Sequence, residues 1–258
     1  MVRLDEGGRA ADEALIFAPR PRLAPWVQHV SIQPGPARHR REAWRVVPDT
    51  CGHLIVSVTE DGAARVRLVG ARAVHADIDV TRRVFTVAVR LRPGALPALV
   101  RDRADLLTDR AVDLGDVFHG HDVQAILDGA GRGPRHTACV LMNIVEARVA
   151  GAPLPPRWLF CASRRVEDLQ SVLGVRARTL HARMLASVGL APKRALRIER
   201  LYVALRQAGR GASTAAAALA AGYSDQSHFT RDCRALLGEA PGAWRGRSAD
   251  AETFKTPD

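Results

Sequence analysis

The segment GYSDQSHFTRDCRALLG, from Gly222 to Gly238, concentrates side chains that can hydrogen-bond to an ordered partner. A helix that only meets water usually carries Lys and Glu, whereas this segment offers amide, hydroxyl, imidazole and guanidinium groups. At helical spacing Phe229 and Cys233 turn inward, and five polar residues share the surface that remains. These residues are Gln226, Ser227, His228, Thr230 and Arg231.

The chemistry of this surface suits the edges of nucleic acid bases. Gln can pair with adenine through two hydrogen bonds, Arg can pair with guanine or phosphate, and a neutral His can do either job weakly. Gln226 and Arg231 are therefore predicted to be the strongest contacts, whereas Asp225 is predicted to cap the helix. The alternative is that the whole face is solvated.

A helix upstream offers a comparable surface. Leu180 and Met184 are predicted to face the core, which leaves four polar or charged residues exposed. These residues are Arg178, Thr179, His181 and Arg183. The next helix begins with a basic cluster of Lys193, Arg194 and Arg197, for which phosphate contacts are predicted and a solvated face is the alternative.

The first half of the chain offers little catalytic or metal chemistry. His53, His75, Asp77 and Asp79 form the one cluster that could ligate a cation, and a solvated strand face is the favoured alternative. No hydrolase, metalloprotease, phosphate-loop or dinucleotide motif occurs, so no catalytic residue, metal or cofactor is predicted. The cysteines are scattered without a Cys-X-X-Cys pair, which argues against a zinc cluster and a disulfide framework. They are Cys51, Cys139, Cys161 and Cys233.

The elements that position the polar surfaces are all helical beyond residue 160. A helix over 164–175 is broken at Gly174, and a second one begins near Arg176 and ends around Gly189. A long helix spans 192–209, Ser213 caps a helix over 214–221, and the opening segment forms the next helix. This outline is two helix-turn-helix units joined by a connector of about 25 Å. Such a spacing suits two successive major grooves on one face of a duplex.

The first half is predicted to be an antiparallel sheet followed by helices. The stretch 22–35 predicts a short helix or turn that leads into an extended segment. Short runs rich in Val and Ile predict strands over 53–60, 64–71 and 82–91, and helical periodicity predicts helices over 94–107, 113–129 and 137–150. Arg90 and Arg92 alternate on the third strand, where they are predicted either to meet an anionic effector or to pair with acidic neighbours.

The predicted fold class is therefore α+β, with an N-terminal sensor-like or dimerisation domain of mixed sheet and helix and an all-α C-terminal domain. Proline and glycine in GAPLPPRW favour a linker. The predicted ranges are 1–150 for the first domain, 151–160 for the linker, 161–248 for the DNA-binding domain and 249–258 for a flexible tail.

The distribution of charge separates the two halves. The net charge is +11, and residues 160–247 hold 15 Lys and Arg against 6 Asp and Glu, whereas residues 1–159 hold 22 against 18. A polyanion partner is therefore expected for the C-terminal part, although a GC-rich genome would also enrich Arg and Ala. No apolar run is long enough for a membrane span, and the N-terminus lacks a hydrophobic leader, so a soluble cytoplasmic protein is expected.

Residues 166–245 resemble the DNA-binding domain of AraC/XylS-type bacterial transcription regulators. The segments that carry the likeness are LGVRARTLHARM, GLAPKRALRIERL and AAGYSDQSHFTRDCRALLGEAPGAWR. Cys233 stands at a usual phenylalanine, Arg176 at a usual capping Ser, and small residues occur at Thr214, Ala216 and Ala217. The first half resembles, more loosely, a sensor region of some members through VPDTCGHLIVSV and VRLRPGAL.

The resemblance implies a sequence-specific transcription regulator that binds double-stranded DNA and responds to a small-molecule effector. It favours Arg178 and His181 as readers in the first unit and places Gln226 and Arg231 on the second recognition helix. A homodimer and a contact with RNA polymerase are further partners that it implies. The alternatives are a DNA-binding domain fused to a repair-type enzyme and a non-specific architectural DNA binder.

Overall fold

The computed structural model describes residues 14–35, 43–156 and 165–245. Part of the predicted linker, the whole predicted tail and Cys161 lie outside these ranges. Within them, no helix combines the length and the apolar character that a membrane crossing requires.

The first half contains a six-stranded sheet in the order β1-β2-β7-β4-β5-β8, in which every neighbouring pair is antiparallel. A separate two-stranded ribbon pairs β3 with β6. The strands are β1 (Leu15–Phe17), β2 (Val27–Pro34), β3 (Ala43–Val46), β4 (His53–Thr59), β5 (Ala64–Val69), β6 (Ala76–Asp79), β7 (Arg83–Leu91) and β8 (Ala111–Asp113). The predicted strands are confirmed, and β1, β3, β6 and β8 are too short to show a clear period of two in the sequence.

Alternation along the central strands gives the sheet one apolar and one polar face. Val30, Val89 and Leu54 lie side by side in register on β2, β7 and β4 and are buried in the first core. Helices α2 (Gly120–Gly131) and α3 (Pro134–Val149) contribute Ile126 and Leu141 to the same core. The residues that alternate with these apolar ones point to the opposite face, which is the polar face of the sheet.

The predicted helix over 94–107 is wrong as a single element. It divides into α1 (Leu96–Val100) and a 3₁₀ turn (Ala104–Leu107), because Arg101 ends α1 in the left-handed region at φ 59°. The predicted helix over 113–129 likewise opens with a 3₁₀ turn (Leu114–Asp116) before α2 begins.

The second half is helical throughout the described residues, as predicted. Its helices are α4 (Val166–Leu173), α5 (Ala177–Val188), α6 (Pro192–Gly209), α7 (Thr214–Ala221), α8 (Gln226–Leu237) and α9 (Pro241–Arg245). The pairs α4–α5 and α7–α8 form the two helix-turn-helix units, and α6 connects them. Ser213 accepts a hydrogen bond from the amide of Ala216, which confirms the predicted cap of α7.

One core joins both units to the first half of the chain. Ile198 and Leu201 of α6 are fully buried, with Leu180 on one side and Phe229 on the other. Val47 and Ala71 belong to the N-terminal half and are buried in the same cluster of residues. The two halves therefore share apolar surface and are not merely tethered.

The ends of α5 and α8 also lie against the first half. Gly189, which ends α5 at φ 88°, accepts a hydrogen bond from the hydroxyl of Thr108, and a Cβ there would come within 2.6 Å of that oxygen. Gly238 ends α8 at φ 77°, and a Cβ there would come within 2.7 Å of Nε2 of His75. Glycine is required at both positions because the backbone is left-handed and the space is filled.

Replacement of Ile198 by Ala tests the central role of α6. The side chain is fully buried, so the change should lower the free energy of unfolding by about 2–5 kcal/mol through lost transfer energy and a cavity. Chemical denaturation followed by circular dichroism measures it. Leu219→Ala is the matched control, because Leu219 of α7 is 64% exposed and should change stability by less than about 0.5 kcal/mol. Similar losses in the two variants would contradict the assignment.

Candidate nucleic-acid interface

Helix α8 presents the predicted polar surface outward. Phe229 and Cys233 are fully buried, as predicted, and so is Leu236. Gln226, Ser227 and Arg231 are exposed, while His228 and Thr230 are half-buried. The structure thus gathers the five candidates around the exposed side and the first turns of one helix, where recognition helices touch base edges.

The start of α8 is fixed by Asp225. Its Oδ1 accepts a hydrogen bond of 2.7 Å from the amide of His228, which confirms the predicted cap. This bond, and a further one from the hydroxyl of Ser224, lower the pKa of Asp225. The carboxylate is therefore ionised at neutral pH and complements the positive end of the helix.

An ion pair beneath α8 fastens it to α6, and it joins residues 35 positions apart, too far for a local sequence pattern to pair them. Asp232 is buried, and its Oδ1 accepts a 2.8 Å hydrogen bond from Nε of Arg197. Arg200 lies 3.7 Å from Oδ2 of the same carboxylate, and its guanidinium stands 4.6 Å from the centre of the Tyr223 ring. An acidic residue three positions after a core Phe is the one local sign of an inward-facing carboxylate.

Helix α5 exposes the other predicted set. Arg178, Thr179, His181 and Arg183 are all exposed, and Leu180 and Met184 are buried beneath them. Arg176 precedes the helix and makes no side-chain capping bond, in line with the expected loss of a Ser cap. The predicted reading face of the first unit is therefore exposed, on a helix whose start is held less firmly than that of α8.

The three predicted phosphate contacts differ in their surroundings. Lys193 is exposed at the start of α6. Arg194 donates a 2.8 Å hydrogen bond to the carbonyl oxygen of Ala73, and Arg197 is paired with Asp232. A phosphate contact stays a prediction for all three, and for Arg194 and Arg197 it would have to share the guanidinium with these partners.

The polar face of the sheet carries a buried charged cluster. His29, Arg90 and His53 lie side by side on β2, β7 and β4. Nη2 of Arg90 donates to Oδ1 of Asp49 at 2.8 Å, and Nε2 of His53 lies 2.8 Å from Oδ2 of the same carboxylate. Arg90 also donates to Oε1 of Gln28. Of the two predicted roles for Arg90, pairing with an acidic neighbour is present.

The electrostatics of the cluster follow from burial and charge. Burial opposes ionisation of Asp49, but Arg90 and the hydrogen bond to His53 outweigh it and lower the pKa of Asp49. Burial, with repulsion from Arg90 and His53, lowers the pKa of His29 to about 4. Nδ1 of His29 is buried without a hydrogen-bond partner among the described residues. Arg92 lies apart from this row and donates to the carbonyl oxygen of Ala24 at 2.6 Å.

The cluster reaches the DNA-binding half through the segment that carries Asp49. The hydroxyl of Thr50 donates a 2.6 Å hydrogen bond to Oε1 of Glu199 on α6. The hydroxyl of Tyr202, also on α6, donates to the carbonyl oxygen of Pro48. Residues 48–50 therefore connect the polar face of the sheet to the connector helix.

The candidate cation ligands have other partners. His53 belongs to the Asp49 cluster, Asp77 forms an ion pair with Arg45, and Asp79 accepts a hydrogen bond from the amide of Thr81. Nδ1 of His75 lies 3.2 Å from the carbonyl oxygen of Leu236. Over the ranges that the structure describes, no group of three or more His, Cys, Asp or Glu residues is arranged to hold a metal ion.

Comparison with known proteins identifies the helical half. Residues 169–247 match the family described as "Helix-turn-helix domain", and residues 15–113 match a "Domain of unknown function (DUF6597)". No curated protein matches the chain as a relative.

Two solved structures show a distant likeness. The structure of ToxT from Vibrio cholerae O395 is similar to this chain, with 8% sequence identity and a TM-score of 0.40. The likeness covers 80% of this chain and 94% of that one. The structure of unsaturated fatty acid-bound wild-type ToxT from Vibrio cholerae strain SCE256 has 11% sequence identity and a TM-score of 0.42. That likeness covers 84% of this chain and 94% of the other. The helix-turn-helix match spans α5 and α8, whereas the likeness to ToxT is too low to bear on function.

Acid titration tests the burial of His29. The folded protein binds a proton at His29 with a pKa of about 4, whereas an unfolded chain binds it near the ordinary value of 6.5. Protons therefore favour the unfolded state between these values. The free energy of unfolding should fall by about 3 kcal/mol from pH 7 to pH 4 through this residue.

His29→Gln should remove most of that component, as measured by denaturant midpoints across the pH range. His136→Gln, at an exposed position of α3, is the control for loss of one histidine. An unchanged pH dependence in His29→Gln would show that the imidazole is not buried as described.

Proposed function

We infer, from the premise that this chain is an AraC-type DNA-binding transcription regulator, that α5 and α8 read two successive major-groove segments of one duplex. The observation that carries the proposal is the pair of exposed hydrogen-bonding faces on α5 and α8, two helices that both pack on α6. The eighteen residues of α6 span about 27 Å, somewhat less than the roughly 34 Å of one turn of DNA. Both reading helices pack on α6, so their separation is set by a rigid element.

The roles proposed for the reading residues follow from their chemistry. Gln226 and Arg231 contact bases most strongly, and Ser227, His228 and Thr230 complete the face of α8. On α5, Arg178 and His181 read bases, and Thr179 and Arg183 support them. Lys193 contacts a phosphate, since it is exposed at the start of α6.

We further propose that the polar face of the sheet is where a small-molecule effector acts. The support is a buried row of His29, Arg90 and His53, in which Nδ1 of His29 lacks a hydrogen-bond partner among the described residues. A buried unpaired polar atom is unfavourable, and a polar ligand would relieve it. Arg90 is the proposed effector contact, while Arg92, which lies apart from this row, supports the strand that precedes it.

Effector binding would reach DNA through residues 48–50. A ligand that competes with Asp49 for Arg90 would shift the segment whose Thr50 and Pro48 bond to α6. Because α6 carries both reading helices, a change there would alter DNA affinity or a contact with RNA polymerase. Activation and repression are equally compatible with this route.

The remaining proposals concern organisation. We propose domains over 1–150 and 161–248, because the sheet and α1–α3 share one core and α4–α8 share another. The linker over 151–160 and the tail over 249–258 stay predictions. A homodimer through the first domain would allow two copies to bind adjacent sites. A protein that reads DNA acts where the chromosome is, so the proposed location is the cytoplasm.

The repair-enzyme alternative gains no support from the two buried cysteines, Cys51 and Cys233. Catalysis by a thiol needs a lowered pKa. Burial, together with Asp232, raises the pKa of Cys233 to about 12, and burial also raises the pKa of Cys51. We therefore propose that the chain is a regulator without catalytic activity.

Gln226→Ala tests direct reading of bases. The change should weaken binding to the preferred duplex by about 1–3 kcal/mol and relax the preference at one base pair. The preferred duplex comes from selection of bound sequences out of a random pool, and fluorescence anisotropy measures the affinities. Equal losses on every sequence would refute a base-reading role.

Lys193→Ala is the matched comparison for a contact without sequence information. It should weaken binding to all duplexes alike and reduce the slope of log affinity against log salt by about 1. If random duplex competes as well as the selected site at matched salt, sequence-specific regulation itself is wrong.

Thr50→Val tests the connection between the two halves. It removes the hydroxyl that bonds to Glu199 and should weaken the contact with α6 by about 1 kcal/mol. Hydrogen exchange of α6 amides should accelerate, and the affinity for the selected duplex should change. Thr59→Val, at the end of β4 where the hydroxyl bonds to Asp61, is the control. Identical exchange in the two variants would contradict the proposed route.

A further inference from the structure

The imidazole of His228 is held on one side by a short chain of hydrogen bonds. The hydroxyl of Ser224 lies 3.1 Å from Oδ2 of Asp225 and 3.2 Å from Nδ1 of His228. The ring of Tyr223 packs edge to face against the imidazole, with centroids 5.1 Å apart at 88°. These contacts fix the orientation of the ring relative to the start of α8.

The hydrogen atoms in the hydrogen bonds that link Asp225, Ser224 and His228 can be placed by elimination. An ionised carboxylate only accepts, so the hydrogen between Ser224 and Asp225 belongs to the hydroxyl. A hydroxyl has one hydrogen, so Ser224 can only accept from His228. The hydrogen between them must then be carried by Nδ1 of the imidazole.

In the neutral form of the ring, Nε2 therefore carries no hydrogen. Among the described residues no hydrogen bond to Nε2 is made, and His228 is the third residue of α8, in the turn that recognition helices bring to the bases. A nitrogen lone pair accepts a hydrogen bond and is repelled by phosphate oxygens and by acceptors at the base edge. In the major groove the complementary donors are the exocyclic amines, N6 of adenine and N4 of cytosine.

We propose that Ser224 and Asp225 fix the Nδ1–H form of His228, and that His228 thereby selects adenine or cytosine over guanine or thymine on the strand facing α8. His228 is then a specificity-determining residue, and Ser224 is a positioning residue that acts through it. The inference rests on the proposed function, in which α8 lies in the major groove.

Deletion of single groups from the DNA tests the proposal with the full-length chain. In the selected duplex, each adenine of the α8 half-site is replaced in turn by purine, which lacks the N6 amine, and each cytosine by the pyrimidinone that lacks the N4 amine. At one position the deletion should weaken wild-type binding by about threefold to tenfold and leave His228→Ala unaffected. Replacement by 7-deazaadenine, which lacks only the N7 acceptor, should show no such dependence on His228.

Variants of Ser224 separate positioning from structure. Ser224→Ala should lose most of the sensitivity to the amine, whereas Ser224→Thr, which keeps a hydroxyl, should retain it. Ser171→Ala, which removes an exposed hydroxyl on α4 that bonds to the carbonyl oxygen of Glu167, is the control and should retain it as well. Two-bond ¹H–¹⁵N spectra should show the proton of His228 on Nδ1 in the wild type and a mixture of forms in Ser224→Ala.

The outcomes distinguish this inference from the function on which it rests. A random pool that yields no preferred sequence overturns the proposed function and this inference together. A preferred sequence in which no amine depends on His228, or a wild-type proton found on Nε2, overturns the inference alone. Full sensitivity in Ser224→Ala with a proton on Nδ1 overturns the role of Ser224.

Discussion

Helix α6 has to satisfy three neighbours at once, and the rest of the structure depends on this constraint. Ile198 and Leu201 fill the core between the two helix-turn-helix units, Arg197 holds Asp232 of α8, and Tyr202 bonds to the N-terminal half. Apolar, charged and polar groups are therefore interleaved on α6, with Arg197 one turn before Leu201 and Ile198 one turn before Tyr202. A displacement of α6 toward any neighbour loosens its contacts with the other two.

In the proposed route of regulation, the polar face of the sheet acts through this constraint. Arg90 and Asp49 are both buried, and each would be a costly unpaired charge if the other moved away. The cluster therefore favours one closed arrangement until a group of suitable charge replaces a partner. Thr50 follows Asp49 directly and bonds to Glu199 of α6. A change in the position of Asp49 would therefore alter this contact with α6. Regulation by this route needs no large movement, because the reading helices are fixed to the element that is perturbed.

The parts of the fold that depend on local order could be predicted from sequence, and the parts that depend on distant pairs could not. The ends of α6, the cap at Asp225 and the inward residues Phe229 and Cys233 follow from periodicity and capping chemistry. The ion pairs Asp232–Arg197 and Asp49–Arg90 join residues 35 and 41 positions apart, which no local pattern specifies. The exposed polar faces of α5 and α8 were predictable, because they consist of the residues that lie outside the buried apolar stripe of each helix. The docking of α5 and α8 on the first half requires the tertiary fold.

The alanine-rich helix α7 shows how a reading surface can be rigid without bulky side chains beneath it. Ala217, Ala218 and Ala221 are buried, so α7 approaches its neighbours closely and contributes little orienting shape. Orientation must then come from directional contacts, and the carboxylate of Asp232 supplies one because its hydrogen bond to Arg197 specifies both distance and angle. The cap at Asp225 fixes the other end of the same stretch. A softly packed unit can thus present Gln226 and Arg231 in a defined geometry, provided that both carboxylates keep their hydrogen-bond partners.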